Sequence, residues 1–131
     1  MSTATIIDGL SLSNAVKDDL VCRIAAIEGS VSLDAVLVGD DQGAVLYAKN
    51  QAKACAKVGI DYTLHQLLDS ASHAEVEALI VRLNDDPKVT AIMVQMPLPS
   101  EVRTDDIQSL IAPHKDVEGV NPANIGNIVF G

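Results

Sequence analysis

Tyr47, Gln51 and Gln95 are the side chains whose types and spacing first suggest a site. Tyr47 and Gln51 are four apart, so in a helix they share one face. Gln95 stands alone between an apolar run, Val89-Thr90-Ala91-Ile92-Met93-Val94, and the stop at Met96-Pro97-Leu98-Pro99. If that run is a strand, Gln95 lies at its carboxyl end, where open α/β sheets bind their ligands. The chemistry on offer is hydrogen bonding, because a carboxamide orients a partner without exchanging protons with it. The plainer alternative has Tyr47 packed against the sheet and Gln51 in solvent, and spacing alone leans that way. His114-Lys115-Asp116-Val117-Glu118-Gly119 places further charges around a turn after Pro113, either as a solvated loop or as part of a site.

Other constellations are weaker. Lys49, Lys53 and Lys57 recur at helical spacing, the pattern of a solvated face. The pairs Asp18-Asp19, Asp40-Asp41, Asp85-Asp86 and Asp105-Asp106 fall mostly at expected helix ends or turns, where aspartate caps backbone groups. His65, His73 and His114 have no His or Cys companion at ligand spacing, so no metal site is expected. There is no Gly-x-Ser-x-Gly nucleophile turn, no Gly-x-Gly-x-x-Gly and no Walker-type loop.

The elements that must position these residues can be read in order. Thr5-Ile6-Ile7-Asp8-Gly9 reads as a short strand. A helix from Ser11 or Ser13 follows, with Val16, Leu20, Ile24 and Ile27 on one face and Gly29 as its stop. Leu33–Gly39 is apolar almost throughout and reads as an internal strand, Asp40–Gly43 turns out of it, and a helix runs from Ala44 to Val58 before Gly59. Asp61–Leu67 reads as a strand nearer an edge. Ser72-His73-Ala74-Glu75 is a capping box, opening a helix with Val76, Leu79, Ile80 and Leu83 on one face. The run ending at Gln95 is apolar enough for a strand covered on both faces, and it reads as the centre of a parallel sheet. A short helix from Thr104 through Ile111 and a turn-rich tail complete the chain. Alternating strands and helices predict a single α/β domain: a three-layer sandwich with a mostly parallel sheet and helices on both faces.

Composition narrows the function classes. The 131 residues are 48% hydrophobic, enough for a core, and no apolar run reaches spanning length, so no membrane partner is expected. A net charge of −9 and an aromatic content of 2% argue against nucleic acid. Met1–Thr5 lacks the basic and apolar regions of a secretory leader. Cys22 and Cys55, both on apolar helical stretches, read as reduced core thiols, and the chain as cytoplasmic.

Val94-Gln95-Met96-Pro97-Leu98-Pro99 is similar to the VQLPLP signature of the bifunctional methylenetetrahydrofolate dehydrogenase/cyclohydrolase family. The resemblance continues in order along nearly the whole chain. Ile6-Ile7-Asp8-Gly9 resembles the family's opening, and Val36-Leu37-Val38-Gly39 followed by Tyr47 resembles its VLVG…Y segment. Lys53-Ala54-Cys55 with Val58-Gly59-Ile60 resembles KAC…VGI, and Leu83-Asn84-Asp85-Asp86 resembles LNxD. Pro113–Gly119 resembles PxKDVDG, and Asn121–Gly126 resembles HPxNxG.

The resemblance implies that residues 1–131 are a folate-binding catalytic domain, normally followed by a Rossmann domain that holds NADP or NAD and is absent here. It implies oxidation of 5,10-methylenetetrahydrofolate to methenyltetrahydrofolate, a homodimer at full length, and no hydride transfer by this chain alone. Tyr47 matches the family tyrosine that would stack on or hydrogen-bond the pterin. Gln95 matches the glutamine near the reacting carbon, and Val94, Met96 and Pro97 flank it in the substrate-binding signature. Glu118 stands where the family has the aspartate that anchors the pterin, and Ala44 where it has a serine. Gln51 stands where the family has a lysine that serves the cyclohydrolase step. A lysine in a dry cleft can be tuned to move protons, and glutamine cannot. Lys53 is no replacement, since two residues along a helix turn roughly 200° about the axis. The cyclohydrolase activity is therefore expected to be weak or lost. The alternatives are a non-catalytic folate-binding or assembly domain, or a pocket adapted to another pterin.

Overall fold

The computed structural model describes residues 4–131; Met1–Thr3, part of the stretch read as lacking the features of a secretory leader, lie outside them. In chain order the elements are α1 (Gly9–Ala25), β1 (Ser32–Val38), α2 (Gln42–Val58), β2 (Asp61–Leu67), α3 (His73–Asp85), β3 (Ala91–Val94), α4 (Thr104–Leu110) and α5 (Pro122–Phe130). The strands form a parallel sheet in the order β2-β1-β3, with Leu33 opposite both Tyr62 and Ala91. Helices cover both faces, which is the α/β sandwich that the alternation of elements predicts.

Local chemistry sets most of the boundaries. At the start of α2, the Asp41 carboxylate accepts from Ala44 N at 2.9 Å. At its end Gly59 takes a left-handed conformation, φ +87°, and donates to Cys55 O. The capping box of α3 forms as predicted, with Ser72 and Glu75 each satisfying the other's backbone N–H. Its inward residues Val76, Leu79, Ile80 and Leu83 are all buried. They pack with Val36 and Val38 of β1, Ile92 and Val94 of β3, and Ile107 and Ile111 into one apolar cluster. Because side chains alternate along a strand, Ala35 and Leu37 point to the opposite face, the one covered by α2.

The structure corrects five expectations. Residues 5–8 form no strand; Ile6 and Ile7 are 91% and 84% exposed, with no sheet edge beside them to supply hydrogen bonds. Asp8 instead caps α1, accepting from Ser11 N at 3.1 Å, so the helix starts at Gly9, ahead of Ser11. The face of α1 is not buried: Val16 is 51% exposed, and Ile27 lies beyond the helix end. The reason is that α1 packs on α2 rather than on the sheet, and its apolar residues line an open groove. Cys22, on that helix, is exposed for the same reason, whereas Cys55 is buried. Finally, β1 is the central strand. β3 is four residues long and lies at the sheet's edge, but its outer side is closed by the chain near Asp116. Ile92 N donates to Lys115 O there at 2.8 Å, so β3 is covered on every side, as its apolar run requires.

Candidate functional site

The end of β3 and the first turns of α2 meet over the carboxyl edge of the sheet. Gln95 N donates to Val36 O at 2.8 Å, extending the ladder by one residue and fixing the backbone from which the Gln95 side chain leaves. That side chain is only 4% exposed. Its amide nitrogen donates to Gln51 Oε1 at 3.0 Å, and Gln51 Nε2 in turn donates to Met93 Sδ at 2.9 Å. Gln51 is therefore half-buried and bonded, neither solvated nor idle. Tyr47, one helical turn earlier, is 57% exposed and leans over the rim instead of packing on the sheet.

A cavity of about 330 Å³ opens above this pair. Tyr47, Val94, Gln95, Met96 and Glu118 contribute to its wall, and Ala44 and Gly43 leave room at the start of α2. Gln51 supports Gln95 from behind. Pro97 is exposed and stands outside the wall. Of the residues singled out in the sequence, then, Tyr47, Gln95 and Glu118 converge on one concavity with Gln51 tied to it.

The loop that brings Glu118 there is held by hydrogen bonds. The Asp116 carboxylate accepts from Gly119 N at 3.0 Å, Asn121 N at 2.9 Å and Asn124 Nδ2 at 2.9 Å. Burial alone would raise its pKa, but the bonds from Asn121, Asn124 and Gly119 outweigh burial and the net shift is downward. Lys115 is buried and donates to Leu83 O, Asn84 O and Asp86 O at 3.0, 2.7 and 2.7 Å, closing the carboxyl end of α3 with a positive charge. Asn121 adds bonds to Ser109 O and Ile111 O. Glu118 itself is exposed at the rim. Partial burial, and then the nearby Asp116 charge, push its carboxyl pKa up. A carboxyl placed this way holds a ligand N–H by accepting when ionised and can donate when protonated.

Sequence reasoning did not find Met93, Lys115, Asp116 or Tyr62. Lys115 and Asp116 were visible only as members of a charged turn, since their partners lie on α3 and in the tail. Tyr62, one of the chain's two tyrosines, enters β2 as an ordinary alternating residue. Among the described residues no three His, Cys, Asp or Glu side chains are grouped to hold a metal ion, and no helix is long and apolar enough to cross a membrane.

Comparison with known proteins gives a consistent picture. The family model for the tetrahydrofolate dehydrogenase/cyclohydrolase catalytic domain matches residues 7–118. The bifunctional protein FolD of Pelobacter propionicus is 39% identical over 98% of this chain, which spans 46% of that relative's length. The crystal structure of the bifunctional methylenetetrahydrofolate dehydrogenase/cyclohydrolase FolD from Campylobacter jejuni superposes with a TM-score of 0.91 at 36% identity, covering 96% of this chain and 46% of that one. The Trypanosoma brucei enzyme, solved with NADP cofactor and inhibitor, superposes with a TM-score of 0.90 at 27% identity over 98% of this chain and 45% of that one. The chain thus spans about half the length of the relatives it matches.

Proposed function

Since the chain belongs to the tetrahydrofolate dehydrogenase/cyclohydrolase catalytic-domain family, we propose that its cavity binds the pterin end of a reduced folate for the dehydrogenase reaction. The observation that carries this reading is the convergence of Tyr47, Gln95 and Glu118 on one cavity at the carboxyl edge of a parallel sheet. The substrate is 5,10-methylenetetrahydrofolate and the product methenyltetrahydrofolate. NADP or NAD supplies the hydride acceptor when bound. This chain has no glycine-rich phosphate loop for it, so in this reading residues 1–131 form the folate domain and a following Rossmann domain holds the cofactor in a homodimer.

Within the cavity, the exposed ring of Tyr47 offers a face for the pterin or its aryl extension. Glu118 accepts from pterin N–H groups. Gln95, held by Gln51, presents an oriented carboxamide beside the one-carbon unit. None of these roles needs a proton to leave the protein during oxidation, because the departing hydrogen leaves as hydride.

Hydrolysis of the methenyl product is different. Water must attack the one-carbon unit and lose a proton, and the ring must open. Gln51 can accept or donate a hydrogen bond but cannot take up that proton, and its side chain is committed to Gln95 and Met93. We therefore assign the domain to a dehydrogenase with weak or absent cyclohydrolase activity. The test assays both steps in the full-length protein. Expected are clear cofactor reduction, little hydrolysis, and a rise in hydrolysis of roughly 10- to 100-fold on Gln51→Lys. Strong hydrolysis that survives Gln51→Ala would overturn the assignment, and folate binding without cofactor reduction would mark a non-catalytic folate domain instead.

A further inference from the structure

Tyr62 carries a buried hydroxyl that, among the described residues, has no hydrogen-bond partner. It sits on β2 opposite Leu33, so its ring lies on the α2 face of the sheet, behind the cavity. Its polar neighbours are the Cys55 thiol, the Gln95 carboxamide and the Tyr47 hydroxyl. Burial first, then Cys55 and Tyr47, push the phenol's pKa up, while Gln95 pulls the other way. Gln95 is thus close enough to be felt, although the geometry falls short of a hydrogen bond. An unpaired buried hydroxyl is a net cost that phenylalanine would avoid.

The amides around it have a defined orientation. A thioether can only accept, so the contact with Met93 Sδ selects the nitrogen end of Gln51. The oxygen end of Gln51 then faces Gln95 and takes its amide nitrogen. What Gln95 has left is its carbonyl oxygen and a second amide N–H, which makes only a long contact to Met93 Sδ at 3.8 Å. The oxygen can take a donor of a ligand in the cavity; the N–H can go to the Tyr62 oxygen, the direction in which Gln95 lowers the phenol's pKa. A ligand that turns the Gln95 amide slightly is enough to close the contact with Tyr62, since both groups are already adjacent.

We propose that Tyr62 is a positioning residue for Gln95: when a folate fills the cavity, its hydroxyl oxygen accepts the second amide N–H of Gln95 and, with Gln51 Oε1 on the first, locks the carboxamide in one orientation with Gln95 Oε1 toward the ligand. This rests on the folate reading above and adds to it a residue that acts through Gln95 without touching substrate. The clamp contains no group that titrates near neutral pH, so it orients the folate without moving protons.

The test is a double-mutant cycle on tetrahydrofolate binding by calorimetry, using the full-length protein, with Tyr62→Phe, Gln95→Ala and the double variant, and thermal unfolding of each. Expected is a roughly 3- to 10-fold weaker binding in Y62F, the size of one neutral hydrogen bond, with Tm at or above that of the parent. In the Q95A background the same substitution should change binding less than about two-fold, because the group it positions is gone. Unchanged binding in Y62F overturns the proposal, and so does an equal loss with and without Gln95, which would mark a general packing effect. A parent protein that binds no tetrahydrofolate overturns the folate reading and takes this inference with it, whereas a binding parent with an indifferent Y62F overturns the inference alone.

Discussion

On the sheet face covered by α3 and α4, Val36, Val38, Ile80, Ile92, Ile107 and Ile111 form a dry cluster of large side chains. On the face covered by α2 the helix contributes Ala44, Ala48 and Cys55, small groups that leave space, and polar side chains fill part of it. The first face is sealed at its edge by Asn84, Lys115 and Asn121, whose side chains are paired with backbone groups. The second contains the Gln51–Gln95 pair, the unpartnered Tyr62 hydroxyl and the open cavity. Stability is concentrated where packing is tight. The site lies where packing is relaxed, because a pocket needs both room and polar groups not fully spent on the protein itself.

The division can be broken most severely from the dry side. Ile80 is fully buried at the centre of the α3 cluster. Ile80→Ala is expected to cost about 2–5 kcal/mol and to lower Tm by roughly 10 °C or more. Well below that Tm, folate affinity should stay within about two-fold of the parent, because Ile80 does not line the cavity and meets it only through Val94, which belongs to both. A large change in affinity in folded protein would mean that the two faces are coupled through β1 and β3.

Lys115 is the seam between the faces, and its loss should show in both measurements. Lys115→Met keeps much of the stem's packing but leaves Leu83 O, Asn84 O and Asp86 O without their shared donor. A cost of roughly 2–3 kcal/mol in chemical denaturation is expected, as for hydrogen bonds to a charged group. Since the next residue begins the loop that carries Glu118, affinity should fall as well. Destabilisation with unchanged affinity would show that Asp116 alone is enough to shape the loop.

How much of this could be read from sequence depended on how far each cause reached. The α3 capping box, the Gly59 stop of α2 and the apolar β1 obey rules that act within a few residues, and each formed where it was expected. The strand at residues 5–9 failed because a strand exists only beside another, and nothing local tells Ile6 and Ile7 that no neighbour is there. The same limit hid which strand is central: β3 is as apolar as a central strand because the chain near Asp116 covers its edge from more than twenty residues away. At the site, Tyr47 and Gln51 could be paired by helical spacing and Gln95 placed by the end of its strand. Lys115, Asp116 and Glu118 were visible only as members of a charged turn, and only the resemblance singled out Glu118, since the partners of the other two lie on α3 and in the tail. Tyr62 could not have been found at all without coordinates, because what distinguishes it is a missing partner.

The smallest effect is the most specific to the relaxed face, and it concerns Glu118. Its carboxyl pKa is raised by partial burial and by Asp116, so it loses its proton at a higher pH than a free glutamate does. If the ionised form accepts from the pterin, affinity should rise with pH through that displaced pKa and level off above it. The stability linkage runs the other way. A carboxyl whose folded pKa exceeds its unfolded value holds its proton more firmly in the folded state, so the fold loses a little stability as pH climbs between the two values. Glu118→Gln removes both dependences at once. Folate affinity, followed by calorimetry from acidic to neutral pH, should become flat in this variant and lie below the parent's neutral plateau, while its Tm at neutral pH should be unchanged or slightly higher. Asp116 is a control of opposite sign. Its pKa is lowered, so its stabilising bonds are present above the ordinary value and fail only as pH falls through the depressed one. An acid-side loss of affinity that persists in Glu118→Gln would therefore move the pH sensitivity from the cavity rim to the loop's internal bonds, and would place the anchoring group for the pterin elsewhere in the cavity.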